Sequence, residues 1–426
     1  MDVKLTAVIL FALTYALLLA FPKKRAHIAV GSALAFIALG ILPIGKVFYA
    51  VDWNVILMIA GTMGIVSLFI ETRMPALIGD IIIDKTPSVK WAIVALSMLA
   101  GIISAFVDNV ATVLIIAPVA LTISKKLNIS PVHGIIAIAL ASNLQGAATL
   151  VGDTTSILLG GQAKLDFLDF FVFQGRMGLF FIVQISAVLA SLVLLIVFRK
   201  YKQPVTLNER ETVSDYFPSF LLLGVIALLI GASFIPPEYK PEVTNGLICM
   251  GLFIIGLVRK IIKTKSLRTA RAALKEIDFF TLFLLAGLFI VVGGVTEAGI
   301  VDDISKFFVS AGNGNIFLIY TLIVWSSVLL SAVIDNIPYV ATMLPVVAGI
   351  AAQLGVAPYL LYFGLLSGAT LGGNLTPIGA SANIAALGIL RKDGYEVKAG
   401  TFMKVSVPFT LTAVVAGYVL VWLVWR

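Results

Sequence analysis

The chain has 426 residues, 60% of them apolar and 12% charged, with a mean hydropathy of +1.08. An ordinary soluble domain carries about twice that charge fraction, so a globular fold in water is excluded. The net charge of +8 does not point to nucleic acid, because the basic residues cluster in short segments between apolar runs, where they report membrane orientation.

In chain order, the runs 5–21, 27–45, 53–71, 132–158, 177–198, 217–235, 243–258, 277–297, 358–389 and 405–424 approach or exceed the roughly 20 residues that cross a bilayer. The first run lacks a cleavage motif before Lys23-Lys24-Arg25 and reads as a retained span. Segments 89–125 and 314–353 are each long enough for two helices, with Asp-Asn near the midpoint. Two shorter stretches, 75–84 and 300–310, are amphipathic and read as helices lying in the membrane plane. The single cysteine, Cys249, sits in an apolar run, which leaves no disulfide and no thiolate metal site.

Arg259 to Lys275 carries seven Lys/Arg and no acid, which marks it as cytoplasmic. With that loop inside, segments 22–26, 72–90, 124–131, 199–216 (which includes Arg210) and 390–404 also fall inside, and each is basic. Both termini then face outside.

The chain carries an internal repeat. Asp108 and Asp335, Pro118 and Pro345, Gly146 and Gly373, Thr149 and Thr376, Gly152 and Gly379, and Ile157 and Ile384 share one offset of 227 residues. Upstream, Asp52 and Asp278, Ala60-Gly61 and Ala286-Gly287, and Glu71 and Glu297 match at 226. Five spans separate 53–71 from its counterpart, so the copies run in opposite directions. Inverted repeats with interrupted helices meeting near the midplane are a transporter architecture.

Each copy supplies two polar interruptions. The first is Asp108-Asn109 or Asp335-Asn336, read as the tip of a re-entrant hairpin. An Asp at a helix centre in lipid costs about 2.5–3.5 kcal/mol on insertion scales, so its presence twice points to ion or proton binding. Capping of the following helix is the competing account. The second interruption runs through Asn143, Gly146, Thr149, Gly152, Asp153 and Thr154 in one copy, and through Gly373, Asn374, Thr376, Gly379, Ser381 and Asn383 in the other. Irregular backbone at that depth must face protein or a water-filled cavity. Asp153 stands where the second copy has Ala380, so three acids, Asp108, Asp153 and Asp335, are expected at the centre with no Lys or Arg to balance them. Oxygen-rich sites suit a hard cation such as Na⁺. Glu71, Arg73 and Glu297 fall at span ends and read as interfacial.

At these residues the chain resembles the ion transporter superfamily, the citrate-transporter-like fold, which spans divalent-anion:sodium symporters, NhaD-type sodium/proton antiporters, ArsB-type arsenite permeases and the melanosomal P protein. Ser104 to Thr112 and Ile334 to Pro338 resemble the hairpins of the P-protein and antiporter branches. Asn374 to Gly379 is similar to the arsenite-permease motif, Gly379 to Asn383 is closer to the P protein, and Gly152 to Thr155 resembles the antiporters. The dicarboxylate symporters carry Ser at the hairpin tips where this chain has Asp108 and Asp335, a departure from a dicarboxylate site.

The resemblance implies two inverted repeats, 1–205 and 206–426, in an all-α polytopic protein of about ten spans plus two re-entrant hairpins. It implies scaffold segments 1–88, 177–198, 217–313 and 402–426, and transport segments 89–165 and 314–392. It also implies elevator-like movement and, in many members, a homodimer. The expected activity is secondary active transport driven by Na⁺ or H⁺ in a prokaryotic cytoplasmic membrane, with Na⁺/H⁺ antiport leading. Asp108, Asn109, Asp153, Asp335 and Asn336 would bind the coupling ion, and Na⁺ is the metal considered there. Thr112, Asn143, Gly146, Thr149, Gly152, Thr154, Gly373, Asn374, Thr376, Gly379, Ser381 and Asn383 would line the cation or substrate site. Arsenite, citrate or dicarboxylate transport and an ion channel are the alternatives. No nucleotide-binding loop, nucleophile–base pair or further cofactor motif is present, so neither ATP drive nor an enzyme is expected.

Overall fold

A computed structural model describes residues 2–127, 129–204 and 211–426 of the chain. Arg210 of the expected 199–216 cytoplasmic segment, and the repeat boundary at 205/206, lie outside the described residues. The fold is almost wholly helical. The first half contains α1 (Val3–Ala20), α2 (Arg25–Ala38), α3 (Ile44–Ala50), α4 (Trp53–Glu71), α5 (Met74–Asp84), α6 (Val89–Ser104), α7 (Asn109–Lys126), α8 (Val132–Gly146), α9 (Thr154–Ala163) and α10 (Leu179–Val197). The second contains α11 (Phe217–Ser233), α12 (Thr244–Thr264), α13 (Leu267–Lys275), α14 (Phe279–Glu297), α15 (Ile300–Ala311), α16 (Ile316–Ser331), α17 (Asn336–Leu354), α18 (Tyr359–Gly372), α19 (Ser381–Lys392) and α20 (Ala399–Trp425). Element follows element in the same order in both halves. Eight helices among the described residues are long and apolar enough to cross a membrane, or nine if the bent pair α15–α16 counts as one span.

Local chemistry explains the matching boundaries. α4 and α14 each begin at an Asp whose carboxylate accepts a backbone N–H three residues on, Asp52 from Val55 at 3.0 Å and Asp278 from Thr281 at 3.1 Å. Both long Asp-Asn segments break into two helices with four residues between them, 105–108 and 332–335. The two broken spans separate as expected, α8 from α9 and α18 from α19, because Gly, Thr and Pro deny the backbone a continuous ladder.

Three boundaries differ from the sequence reading. The expected span 27–45 stops at Ala38, where Gly40 adopts a left-handed φ of 69° and Pro43 follows. α12 runs on to Thr264, so Arg259, Lys260 and Lys263 are helix residues and not loop residues. There they pair with acids: Arg259 and Lys263 with Asp215, at 2.7 and 2.8 Å, and Lys260 with Glu71. The Arg259 guanidinium, followed by Lys263, holds the Asp215 carboxyl well below the usual carboxylate range. Finally, 267–275 is a short amphipathic helix, its charges on one face.

Packing links the halves reciprocally. α4 packs along α12 and α14 along α2. The close approach occurs at the matched glycines, Gly61 against the backbone of Cys249–Met250 and Gly287 against that of Ala29–Val30. Within each half, α6 packs on α8 and α16 on α18, while α10 and α20 pair across the halves.

Candidate functional site

Asp108 and Asp335 have nearly the same backbone, φ/ψ −45°/137° and −54°/137°, each as the residue that starts the second hairpin helix. Asp108 accepts the N–H groups of Val110 and Ala111 at 3.0 and 3.1 Å, and Asp335 that of Ile337 at 3.2 Å. Asp153 starts α9, accepting Thr154 N–H at 2.8 Å and the Thr155 hydroxyl at 2.9 Å. All three therefore cap helices. Capping does not account for their charge, however. Asn or Ser caps as well, for about 1 kcal/mol, whereas burying an ion costs several. Ala380 makes the same point: it shares Asp153's extended backbone and offers no side-chain cap, and α19 still forms.

The irregular stretches are built alike. The Thr149 hydroxyl donates to the Ala105 carbonyl, and the Thr376 hydroxyl to Ala332, the matched position. At Gly152 an added Cβ would stand 2.6 Å from the Gly146 oxygen and 2.8 Å from that of Ala105; at Gly379 the corresponding distances, to Gly373 and Ala332, are 2.6 and 2.9 Å. Only glycine lets these carbonyls approach.

Between the halves lies a buried amide chain. Asn109 Nδ2 donates to Asn143 Oδ1 at 2.9 Å, and Asn143 Nδ2 donates to Asn374 Oδ1 at 3.1 Å and to the Thr370 carbonyl at 2.8 Å. Asn374 Nδ2 closes the chain on the Leu140 carbonyl at 2.9 Å. Asn383 donates to the carbonyls of Gly373 and Thr376, at 3.1 and 3.0 Å. Its Oδ1 and the Thr112 hydroxyl are both buried oxygens without a hydrogen-bond partner among the described residues.

A cavity of about 320 Å³ opens beside these elements. Asp108, Asn109, Asp153, Thr154, Asn336 and Ser381 line it. Thr112, Asn143, Gly146, Thr149, Gly152, Gly373, Asn374, Thr376, Gly379 and Asn383 stand outside its lining. Asp335 also lies outside the lining but bonds to Ser381 at 3.3 Å. The first residues of α7, α9, α17 and α19 all meet here, so four positive helix ends face one space. The mouth carries Glu71, Glu276 and Asp278, and brings the last turn of α4 to the first turn of α14. Glu71, expected at the interface only, is thus also part of the approach to the cavity. Among the described residues, no three acidic or histidine side chains form a metal cluster. A cation would sit on one or two carboxylates completed by neutral oxygens.

One expectation is overturned. The acids are not left without a basic partner: Arg25 Nη1 lies 2.8 Å from Asp335 Oδ2, with side chains only 13% and 9% exposed. Arg25 reads as a loop charge because it follows two lysines, yet it is the first residue of α2. No local pattern signals a contact 310 residues away. Asp108 and Asp153 have no Lys or Arg partner among the described residues.

A helical bundle built of matched halves around a polar cavity, among helices long enough to span a bilayer, defines a multi-pass membrane transporter. The chain belongs to the family described as citrate transporter, whose match runs over residues 15–368. It is 31% identical over 430 residues to an uncharacterized transporter of Mycobacterium tuberculosis, covering 98% of this chain and 97% of that one. The mouse P protein is 26% identical over 442 residues, 86% of this chain and 53% of the P protein. Among solved structures, the YdaH transporter of Alcanivorax borkumensis aligns with a TM-score of 0.60 at 15% identity, covering 89% of this chain and 86% of that one. Neisseria gonorrhoeae MtrF aligns at 0.55 with 16% identity, over 96% and 83% of the two chains. At those identities the likeness is one of fold.

Proposed function

We propose that this chain is a secondary active transporter driven by a Na⁺ or H⁺ gradient, with Na⁺/H⁺ antiport as the leading reaction. The observation that carries this reading is that Asp108 and Asp153 share one cavity with no basic partner among the described residues. A carboxylate that capping does not require, buried at Asp153 and half-buried at Asp108, is a group whose charge is met by a mobile cation or proton. The orphaned oxygens of Thr112 and Asn383 are further neutral ligands of the kind a hard cation takes. Asp335 and Ser381 form the second candidate position.

The reading includes an inverted repeat. The end of α4 meets the start of α14 at the cavity mouth, as antiparallel copies require. With the basic loop inside, both termini lie outside and the cavity faces the cytoplasm. Scaffold segments 1–88, 177–198, 217–313 and 402–426 would then hold transport segments 89–165 and 314–392 in an elevator. α15 supports that division: it meets α16 at a 117° bend, the shape of an arm lying across a hairpin.

Flux in proteoliposomes tests the reading. Asp108→Asn and Asp153→Asn are each expected to lower cation-dependent transport by at least about a hundredfold, as removal of an obligatory ion ligand should. Transport that survives both changes, and Asp335→Asn as well, would make the carboxylates structural.

A second reading, anion transport coupled to the same cation, is favoured by the four helix N-termini, of which α19 has no side-chain cap. Citrate, arsenite and dicarboxylate arms in the same flux assay separate the two.

A further inference from the structure

We propose that Arg25 is a tethered counter-cation of Asp335, held in place until a Na⁺ ion displaces it; the proposal rests on the reading of Asp335 as a cation position. The pair is largely out of water, so Asp335 needs a positive partner at every stage of a transport cycle. Arg25 supplies it through a single nitrogen, not through the two-pronged fork that makes arginine–carboxylate pairs durable. The same Asp335 oxygen accepts the Ser381 hydroxyl at 3.3 Å, so an ion arriving from the cavity finds a carboxylate and a hydroxyl already together. Exchange of guanidinium for Na⁺ leaves the local charge unchanged.

The contact also joins two groups of helices. Arg25 starts α2, and Tyr15 on α1 donates its hydroxyl to the Pro338 carbonyl at 2.8 Å, so α1 and α2 grip the first turn of α17 at two points. Ion arrival at Asp335 would release one of them.

The second half of the chain does not reproduce the arrangement. Ala29 rests on Gly287 as Cys249 rests on Gly61, which places Asn245, four residues before Cys249, at the position matching Arg25. Asn245 is buried and neutral. Among the described residues, the tethered cation therefore belongs to one side of the duplication.

The test uses purified full-length protein. Thermal unfolding is followed against NaCl, with N-methylglucamine chloride holding ionic strength and pH constant. Arg25→Gln is expected to unfold earlier than wild type without Na⁺, and to recover with a Na⁺ half-saturation about tenfold or more below that of wild type. In Asp335→Asn the Na⁺ response linked to Arg25 should vanish, and the Arg25→Gln/Asp335→Asn double variant should be no less stable than Asp335→Asn alone. Should Arg25→Gln not fold, Arg25→Lys carries the test, with a smaller shift in the same direction. A Na⁺ response in the Arg25 variant equal to wild type, or a shift that persists without Asp335, would overturn the proposal. The transport reading fails separately: flux insensitive to all three carboxylates would sink it, whereas the Arg25–Asp335 coupling is measured without transport.

Discussion

Thr112 illustrates how a residue can be recognised in a sequence and still be explained only by its surroundings. Its hydroxyl is one turn from Asp108, fully buried and without a partner among the described residues, where most buried hydroxyls are paired. Thr112→Val removes that hydroxyl at constant shape. Because no hydrogen bond is lost, stability is expected to hold or to rise by about 1 kcal/mol. If the oxygen is an ion ligand, the Na⁺ or H⁺ half-saturation for transport should rise by about tenfold or more, the equivalent of about 1.4 kcal/mol. Unchanged half-saturation alongside unchanged stability would remove Thr112 from the site. The acids, amides and hydroxyls were legible because lipid makes each of them costly. Arg25 was not: its chemistry looks the same beside Lys24 in water as beside Asp335 in the interior, and only the chain's path distinguishes the two.

At the scale of elements, the strongest regularity is that matched residues repeat their contacts as well as their identities. Gly152 and Gly379 sit among matched carbonyls at closely similar distances, and Thr149 and Thr376 donate to matched acceptors. Gly152→Ala and Gly379→Ala are each expected to destabilise the protein by about 1–3 kcal/mol, because the new methyl group meets backbone that cannot turn aside. Gly388→Ala on α19 has open space at its Cβ and should leave thermal unfolding of the solubilised protein nearly unchanged. Equal effects at all three positions would show that the carbonyl cradle is not the constraint. Helix starts were readable here from Asp108 and Asp335, whereas the capping roles of Asp52 and Asp278, known in the sequence only as matched positions, came from the structure. Helix ends were less so: the span expected over 27–45 divides at Gly40 and Pro43, and α12 extends into a segment whose charges made it look like loop.

For the whole molecule, the proposed inversion makes a sharp statement about sides. The turn between α1 and α2 matches the turn between α11 and α12 in element order, and under that proposal the two lie on opposite faces of the membrane. Cysteines introduced at the exposed positions Lys23 and Glu238 should therefore react with an impermeant reagent from opposite sides, Lys23→Cys from the cytoplasm and Glu238→Cys from outside. Cys249 is fully buried and should stay silent. Labelling of both from one side would refute inversion.

Membrane residence, the duplication, the position of every polar break and the three acids followed from sequence alone. Lipid forces these features into local composition, since an unsatisfied backbone or a charge has no solvent to hide in. Which of the acids share a cavity, how Asn109, Asn143 and Asn374 bind the halves together, and that Asp335 pairs with Arg25 were decided by tertiary structure. Those relations join residues tens to hundreds of positions apart, and the energy of a buried charge depends on what the fold brings beside it.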